Sequence, residues 1–356
     1  MSETAAVRPA DAPTEQGEVI LDVRDLVVRF PIPRGIVGTM RKRPKETVHA
    51  VEGVSFTLRR GEMLALVGES GCGKTTTAQS VLRLVDADSG SIHLEGRDIS
   101  QVPKDQLREV RRRVQIIYQD PYESLDPRFT VLDTVAEPMR IHGIGGTRAE
   151  RRERAGEALE RVGLEPPSLF LDRYPHELSG GQRQRVAVAA SLVLDPELLV
   201  ADEPVSMLDV SVRAGVLALL DSLRRSGLAV LMITHDLSTA AHFADRIAVM
   251  YLGRIVEQGP AREVVNDPRH PYTKALMSVI PDPDPRRTRE RQILKGETPN
   301  PVRVPPGCRF HPRCPVVQDV CRIRDPLLEQ ADGAQAGHTS ACLFTRGSGE
   351  GATATS

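Results

Sequence analysis

The chain has 356 residues, of which 40% are hydrophobic and 27% are charged. These fractions are typical of a folded globular protein, and they exclude a wholly disordered chain, a collagen and a membrane-embedded bundle. Lysine and arginine number 47 against 48 aspartate and glutamate residues, so the overall charge gives no reason to expect a nucleic-acid partner. The length predicts a main domain of about 250 residues with a smaller part attached.

The two ends of the chain have the composition of disordered segments, a leader over residues 1–18 and a tail over residues 346–356. The leader lacks the basic start and apolar centre of a secretory signal. No apolar run approaches the roughly 20 residues that a membrane-spanning helix needs. We therefore expect a protein of the cytoplasm, whose five cysteines do not form disulfides.

The first organised segment has the composition of strands. Partly alternating apolar stretches predict strands over 20–30 and 51–58, and a stretch rich in Gly, Pro and basic residues predicts a loop over 31–45. Residues 63–67 form a continuous apolar run, which is typical of a buried parallel strand.

Directly after that run, residues 68–75 read G-E-S-G-C-G-K-T and precede a helix predicted over 76–84. Glycines let backbone N–H groups point at phosphate oxygens, and the helix N-terminus adds positive potential. This P-loop predicts a nucleotide site in which Lys74 pairs with phosphates and the Thr75 hydroxyl binds Mg²⁺. The residues predicted to contact the nucleotide here are Gly68, Ser70, Gly71, Cys72, Gly73, Lys74, Thr75 and Thr76.

A second apolar strand, residues 197–201, ends in two acids. Behind a P-loop, the first carboxylate (Asp202) is predicted to support Mg²⁺ and the second (Glu203) to activate water. A strand that ends in acids is by itself often a simple exit to a loop, so this prediction depends on the P-loop.

Residues 178–182 read L-S-G-G-Q and precede a helix predicted over 183–193. A serine and two glycines at a helix start form a second anion-binding site. With this motif the sequence resembles the ATP-binding subunits of ABC transporters over about residues 20–265. The resemblance implies an α/β P-loop NTPase fold, with a RecA-like parallel sheet, an antiparallel β edge and a helical subdomain at about 121–190.

The resemblance also implies that two such domains pair head to tail. The residues that would then contact ATP held by the partner's P-loop are Ser179, Gly180, Gly181 and Gln182. Gln119 follows a predicted strand at 114–118, and His235 follows one at 229–234. By resemblance, Gln119 arranges Mg²⁺ with Thr75 and Asp202, and His235 contacts the γ-phosphate. Without the resemblance, Gln119 would be interpreted as a solvated amide in a loop and His235 as a polar cap beside Asp236.

One feature of the family is missing. An aromatic residue before the P-loop often stacks on adenine, yet no aromatic residue lies between Pro31 and Ser55. Phe30, Val48 and His49 are the candidates for covering the base.

Several motifs resemble the ATPases of peptide importers. Residues 119–128 read Q-D-P-Y-E-S-L-D-P-R, with Asp126 where that branch has Asn, and residues 307–315 read G-C-R-F-H-P-R-C-P. The second motif matches the C-terminal extension of oligopeptide and dipeptide transporter subunits, and residues 201–206 resemble the second, F-type ATPase. We therefore expect an ATP-binding domain over 19–265 and an extension over 266–345.

The resemblance implies a peripheral ATPase at the cytoplasmic face of the membrane that powers peptide import. Its expected partners are two transmembrane permease subunits, docked near residues 122–140, and a second homologous ATP-binding subunit. A heterodimer is favoured over a homodimer, and an extracytoplasmic peptide-binding protein acts indirectly. The same branch imports nickel, glutathione and other small solutes. A soluble ABC ATPase is disfavoured because the chain has one P-loop, one signature and no sustained heptads.

The extension contains four cysteines in the spacing C-x5-C-x6-C-x20-C, namely Cys308, Cys314, Cys321 and Cys342. Four thiolates in a small Pro-rich segment are what a metal or cluster site requires. The resemblance implies a [4Fe-4S] cluster. The missing C-x-x-C pair argues against a common zinc ribbon, but a structural Zn²⁺, with His311 or His338 replacing a cysteine, and free thiols are the alternatives.

Overall fold

The computed structural model describes residues 17–32, 46–120, 125–280, 292, 294 and 296–344. Most of the predicted leader, the predicted tail and residues 33–45 of the predicted loop lie outside the described residues. So do residues 121–124, at the start of the predicted helical subdomain and permease-docking region.

The described strands form two sheets. The smaller one is antiparallel and consists of β1 (Val19–Pro31), β2 (Thr47–Arg59), β4 (Ser89–Leu94) and β5 (Arg97–Asp98), in the order β2-β1-β4-β5. The larger one consists of β3 (Met63–Val67), β6 (Val114–Ile117), β7 (Leu198–Asp202), β8 (Ala229–Thr234), β9 (Arg246–Tyr251), β10 (Arg254–Pro260), β11 (Glu329–Gln330) and β12 (Thr339–Ser340). Its order is β11-β12-β10-β9-β3-β8-β7-β6.

The centre of the larger sheet is parallel, from β9 through β3, β8 and β7 to β6. Strands β3, β7 and β8 are buried along their whole length, as expected for a sheet covered on both faces. Because side chains alternate along a strand, Leu64 and Leu66 pack toward the smaller sheet, while Ala65 and Val67 pack toward the helices. The carboxyl ends of these strands meet at one edge.

The described helices are α1 (Lys74–Val81), α2 (Leu107–Arg113), α3 (Val131–His142), α4 (Arg148–Arg161), α5 (Gly180–Leu192), α6 (Val210–Arg225), α7 (Leu237–Phe243), α8 (Ala261–Asn266) and α9 (Pro271–Ser278). Helices α3, α4 and α5 contact one another within the predicted helical subdomain. Each begins at a hydroxyl residue whose oxygen accepts a backbone N–H, at Thr130, Thr147 and Ser179. None of the described helices is both long and apolar enough to cross a bilayer.

Helix α1 differs from its predicted limits of 76–84. It begins at Lys74, because Gly73 adopts a φ of 107° that turns the P-loop directly into the first helical turn. It ends at Val81, and Arg83 follows with a φ of 53°, a conformation that a helix cannot contain.

The extension returns to the cassette through strand pairing. Strand β12 pairs with β10, with Glu257 opposite Ser340, so the larger sheet continues across the predicted boundary at residue 265. Glu257 is completely buried, and its Oε1 lies 2.7 Å from Nε2 of the equally buried His338. Its carboxylate also accepts the backbone N–H groups of Arg269 at 2.7 Å and His270 at 2.8 Å. The start and the end of the extension are therefore held by one carboxylate.

Candidate nucleotide-binding site

The P-loop is a tight turn between β3 and α1 that only glycine permits at two positions. A Cβ on Gly73 would lie 2.3 Å from the carbonyl oxygen of Ala50, and a Cβ on Gly68 would lie 2.3 Å from that of Met250. Both glycines also have positive φ angles. No side chain caps the first turn of α1, so its backbone N–H groups face the mouth of the loop.

Lys74 lies inside the curl of this loop and is 5% exposed. Its Nζ donates to the carbonyl oxygens of Gly68 at 2.8 Å and Glu69 at 3.0 Å. The ammonium group is thus held at the centre of the loop, where phosphate oxygens would be its acceptors. Ser70 and Thr75 are exposed at the mouth.

Two predicted Mg²⁺ ligands lie side by side. The Thr75 hydroxyl donates to Oδ1 of Asp202 over 3.5 Å, from the start of α1 to the end of β7. Burial raises the pKa of the Asp202 carboxyl, against the effects of the Thr75 hydrogen bond and the Lys74 charge. Hard oxygen ligands of this kind fit Mg²⁺, and a bound cation favours the ionised carboxylate.

The Glu203 carboxylate is held between two neighbours. Its Oε1 lies 3.2 Å from Nδ1 of His235, and its Oε2 accepts a hydrogen bond from Nε2 of Gln119 at 3.2 Å. The three residues follow the adjacent strands β7, β8 and β6, whose carboxyl ends meet at the same edge. Glu203 itself has a φ of 47°, a strained conformation that is typical of functional sites. The structure thus brings together the predicted base Glu203, the predicted γ-phosphate contact His235 and Gln119, which was predicted to arrange Mg²⁺ and here contacts Glu203.

The L-S-G-G-Q segment forms the N-terminus of α5. The Ser179 Oγ accepts the Gln182 N–H at 3.3 Å, and Gln182 Oε1 accepts the Ser179 N–H at 2.9 Å. Ser179 is exposed. Among the described residues, no hydrogen bond joins residues 179–182 to this chain's own P-loop. Their contact with a partner's nucleotide stays a prediction.

The candidates for covering adenine lie near the strand pair β1–β2. Phe30 is 40% exposed on β1, and Val48 pairs with it across the sheet. The His49 side chain contacts Glu52, whose Oε1 lies 2.6 Å from the His49 Nδ1. The backbone N–H of His49 donates to the carbonyl oxygen of Pro301 at 3.0 Å. The extension therefore contacts the strand that carries two of the candidates.

The four extension cysteines line one cavity together with Phe310 and His311. No disulfide joins the described cysteines. Burial raises the pKa of Cys308 to about 11 and also raises the pKa values of Cys314 and Cys342. The donor set is suited to a soft metal or a cluster. As the side chains stand, however, no group of three or more possible ligands in the described part of the chain is arranged to hold a metal ion.

Sequence reasoning missed a contact between the extension and the P-loop. The Arg313 guanidinium binds the Glu69 carboxylate, with Nη1 2.9 Å from Oε2. The Tyr272 hydroxyl oxygen accepts the Glu69 N–H at 3.0 Å. Glu69 occupies a variable position of the P-loop pattern, so the sequence signal for this contact was the presence of Arg313 in the motif G-C-R-F-H-P-R-C-P at residues 307–315. The Glu257–His338 pair was missed as well.

Comparison with known proteins agrees with these observations. Residues 51–206 match the family model of the ABC transporter, and residues 256–321 match that of the oligopeptide/dipeptide transporter C-terminal region. The chain is 46% identical over 318 residues to the oligopeptide transport ATP-binding protein AppF of Bacillus subtilis, covering 88% of this chain and 94% of that protein. It is 45% identical over 322 residues to the oligopeptide transport ATP-binding protein OppF of Salmonella typhimurium, and the match covers 90% of this chain and 95% of that protein.

Solved structures agree on the fold. The dimeric ATP-binding cassette MJ0796, in a post-hydrolysis state with ADP and Pi, matches with a TM-score of 0.58 and 28% identity, over 68% of this chain and 99% of that chain. The predicted P-loop NTPase fold and the predicted family are both confirmed. This chain belongs to the ABC transporter ATP-binding proteins of the oligopeptide/dipeptide transporter family.

Proposed function

We propose that this chain binds and hydrolyses ATP to power an importer of oligopeptides or dipeptides. The observation that carries the ATPase activity is the Glu203 carboxylate, held by Gln119 and His235 beside the P-loop. The cargo is supported by the match of residues 256–321 to the transporter C-terminal region and by the names of the relatives.

In this mechanism the residues act mainly by positioning and by charge stabilisation. Lys74 and the N–H groups of α1 would hold the phosphates. Thr75, Gln119 and Asp202 would hold Mg²⁺, which would supply neutralisation of the phosphate charge. Glu203 accepts the proton of the attacking water, since its carboxylate lies beyond Asp202 at the strand edge. His235 and Gln119 orient that carboxylate. His235 would also contact the γ-phosphate, and Gln119 would also help to arrange Mg²⁺.

Two ATP-binding domains would close over two nucleotides, with Ser179 through Gln182 of each facing the other's P-loop. The exposed Ser179 at a helix N-terminus and the likeness to a dimeric cassette support this arrangement. A second homologous ATP-binding subunit, two permease subunits at the cytoplasmic face of the membrane and an extracytoplasmic binding protein complete the proposed importer.

An uptake experiment in cells tests the proposed ATPase activity and the proposed cargo separately. Host cells that lack this chain are complemented with the wild type, with Glu203→Gln or with the exposed control Glu153→Gln, and uptake of a labelled oligopeptide and of nickel is measured. Peptide uptake restored by the wild type and the control but not by Glu203→Gln is the expected result. Restored nickel uptake without peptide uptake would refute the peptide cargo but would not contradict the proposed ATPase activity.

The purified proteins test the base directly. Glu203→Gln should lower ATP hydrolysis by at least about 100-fold, because the amide cannot accept the proton, while ATP binding is retained. Hydrolysis at the rate of the Glu153→Gln control would refute the assignment of Glu203.

For the extension we propose a [4Fe-4S] cluster bound by the four cysteines, with structural zinc as the alternative. The support is the one cavity that all four cysteines line, with no disulfide among the described cysteines. Anaerobic purification with an absorption spectrum and iron and zinc analysis distinguishes the two metals. Metal-free, colourless protein would contradict both.

A further inference from the structure

The turn from Cys308 to Cys314 contacts the ATP cassette on two sides. Its Phe310 is 1% exposed, with ring centroids 5.2 Å from Tyr251 of the cassette and 5.5 Å from Tyr272 of α9 in the extension. The three residues that follow form a 3-10 turn ending at Arg313. One short segment therefore carries two of the four thiols, a core side chain and the guanidinium that reaches the P-loop.

The ion pair between Arg313 and Glu69 is partly buried. Nη1 of Arg313 lies 2.9 Å from Oε2 and 3.2 Å from Oε1 of Glu69. The Arg313 side chain is 9% exposed and that of Glu69 is 28% exposed. Water and salt weaken such a pair less than they weaken an ion pair on the open surface.

Glu69 connects this pair to the phosphate-binding lysine. Its side chain also accepts a hydrogen bond from the Thr298 hydroxyl, and its N–H donates to Tyr272. Its carbonyl oxygen accepts the hydrogen bond from Lys74 Nζ at 3.0 Å. A shift of Glu69 therefore moves a group that orients Lys74.

We propose that Arg313 is a positioning residue of the ATP site and that, through Glu69, it makes nucleotide affinity depend on the four-cysteine site. When the cysteine site holds the turn in place, Arg313 keeps the P-loop in its phosphate-binding shape. When the turn loosens, ATP binding must also supply the free energy to order the loop, so affinity falls. This inference rests on ATP binding at the P-loop as proposed above, and it is independent of the cargo.

The first test measures nucleotide affinity on the purified full-length chain with a fluorescent ATP analogue and Mg²⁺. Arg313→Ala should raise the Kd by about fivefold to tenfold, a size typical of coupling between two sites, and Arg313→Lys should restore part of the affinity. The KM for ATP should rise in parallel while kcat at saturating ATP is kept. The matched control is Arg303→Ala, which removes an exposed ion pair between Arg303 and Glu46, 3.7 Å apart, that also joins extension and cassette.

Two further variants identify the path of the coupling. Glu69→Gln should weaken binding by a similar factor, and the Glu69→Gln/Arg313→Ala double variant should bind no more weakly than either single variant. Cys314→Ser should also raise the Kd, and it should add nothing in the Arg313→Ala background. Additive losses would overturn the proposed path, and an unchanged Kd in Cys314→Ser would overturn the link to the cysteine site.

The outcomes separate this inference from the proposed function. Wild-type protein that binds no nucleotide would refute the proposed ATPase. Wild-type protein that binds nucleotide, with an unchanged Kd in Arg313→Ala or an equal loss in Arg303→Ala, would refute only the role of Arg313. If Arg313→Ala does not fold, Glu69→Gln and Arg313→Lys, which keep the side-chain size, give the same decision.

Discussion

In the cassette, most of the groups proposed to bind ATP within this chain follow the carboxyl ends of adjacent parallel strands, so the hydrogen-bonded backbone places them. In the extension, the described strands β11 and β12 are only two residues long, and a few side-chain contacts add to the backbone hydrogen bonds that hold the segment to the cassette. These contacts are the Phe310 ring in the core, the Arg313–Glu69 ion pair and the buried Glu257–His338 pair. A regular sheet tolerates the loss of one side chain, whereas an irregular segment depends on each of its few contacts.

The largest stability effect should therefore come from the extension. Glu257→Ala should lower the free energy of unfolding by about 3–5 kcal/mol, because His338 and two backbone N–H groups lose their buried acceptor. Chemical denaturation measures this loss, and limited proteolysis should show earlier cleavage within the extension. The exposed Glu329→Ala in the same segment is the control, and equal stability of both variants would contradict the role of Glu257.

A change in the cassette should act on binding and leave the extension folded. Lys74→Ala should weaken ATP binding by about 10-fold to 100-fold, since a charged donor to the phosphates is lost. Nucleotide titration measures the affinity, and the proteolysis pattern of the extension should match that of the wild type. ATP affinity equal to that of the wild type would overturn the role of Lys74.

The smallest expected effect concerns the sheet beside the adenine candidates. Burial acts to raise the pKa of Glu52, but hydrogen bonds from Arg29 and His49 outweigh it and lower the pKa to about 2. Because the folded-state pKa is depressed, the stabilisation of about 1 kcal/mol is present above pH 5 and is lost as the pH falls toward 2. The stability difference between wild type and Glu52→Gln should shrink over that range.

The control for this pH dependence is Asp22→Asn, which removes a more exposed ion pair with Arg24 in the same sheet. It should change stability by less than about 0.5 kcal/mol at pH 7. A Glu52→Gln difference that stays constant from pH 7 to pH 3 would show that the charge of Glu52 does not stabilise the sheet.

The sequence predicted the cassette better than the extension, for a physical reason. The P-loop, the acids after β7 and His235 after β8 are local patterns at strand ends, and parallel pairing brings strand ends together. Arg313 and Glu69 lie 244 residues apart, and His338 and Glu257 lie 81 apart. Such pairs leave no periodic signal, and two-residue strands such as β12 are too short to recognise. The roles of the site residues and the domain limits stay predictions.

The dependence of Glu257 on His338 also has a consequence for biosynthesis. The ribosome makes every residue of the ATP site, and Glu257 itself, before it makes His338. Because β12 and His338 lie against Glu257, the nascent cassette lacks the stabilisation that this pair provides until residues 338–340 have been translated. A fragment that ends between Glu257 and His338 should therefore be less stable than the full chain.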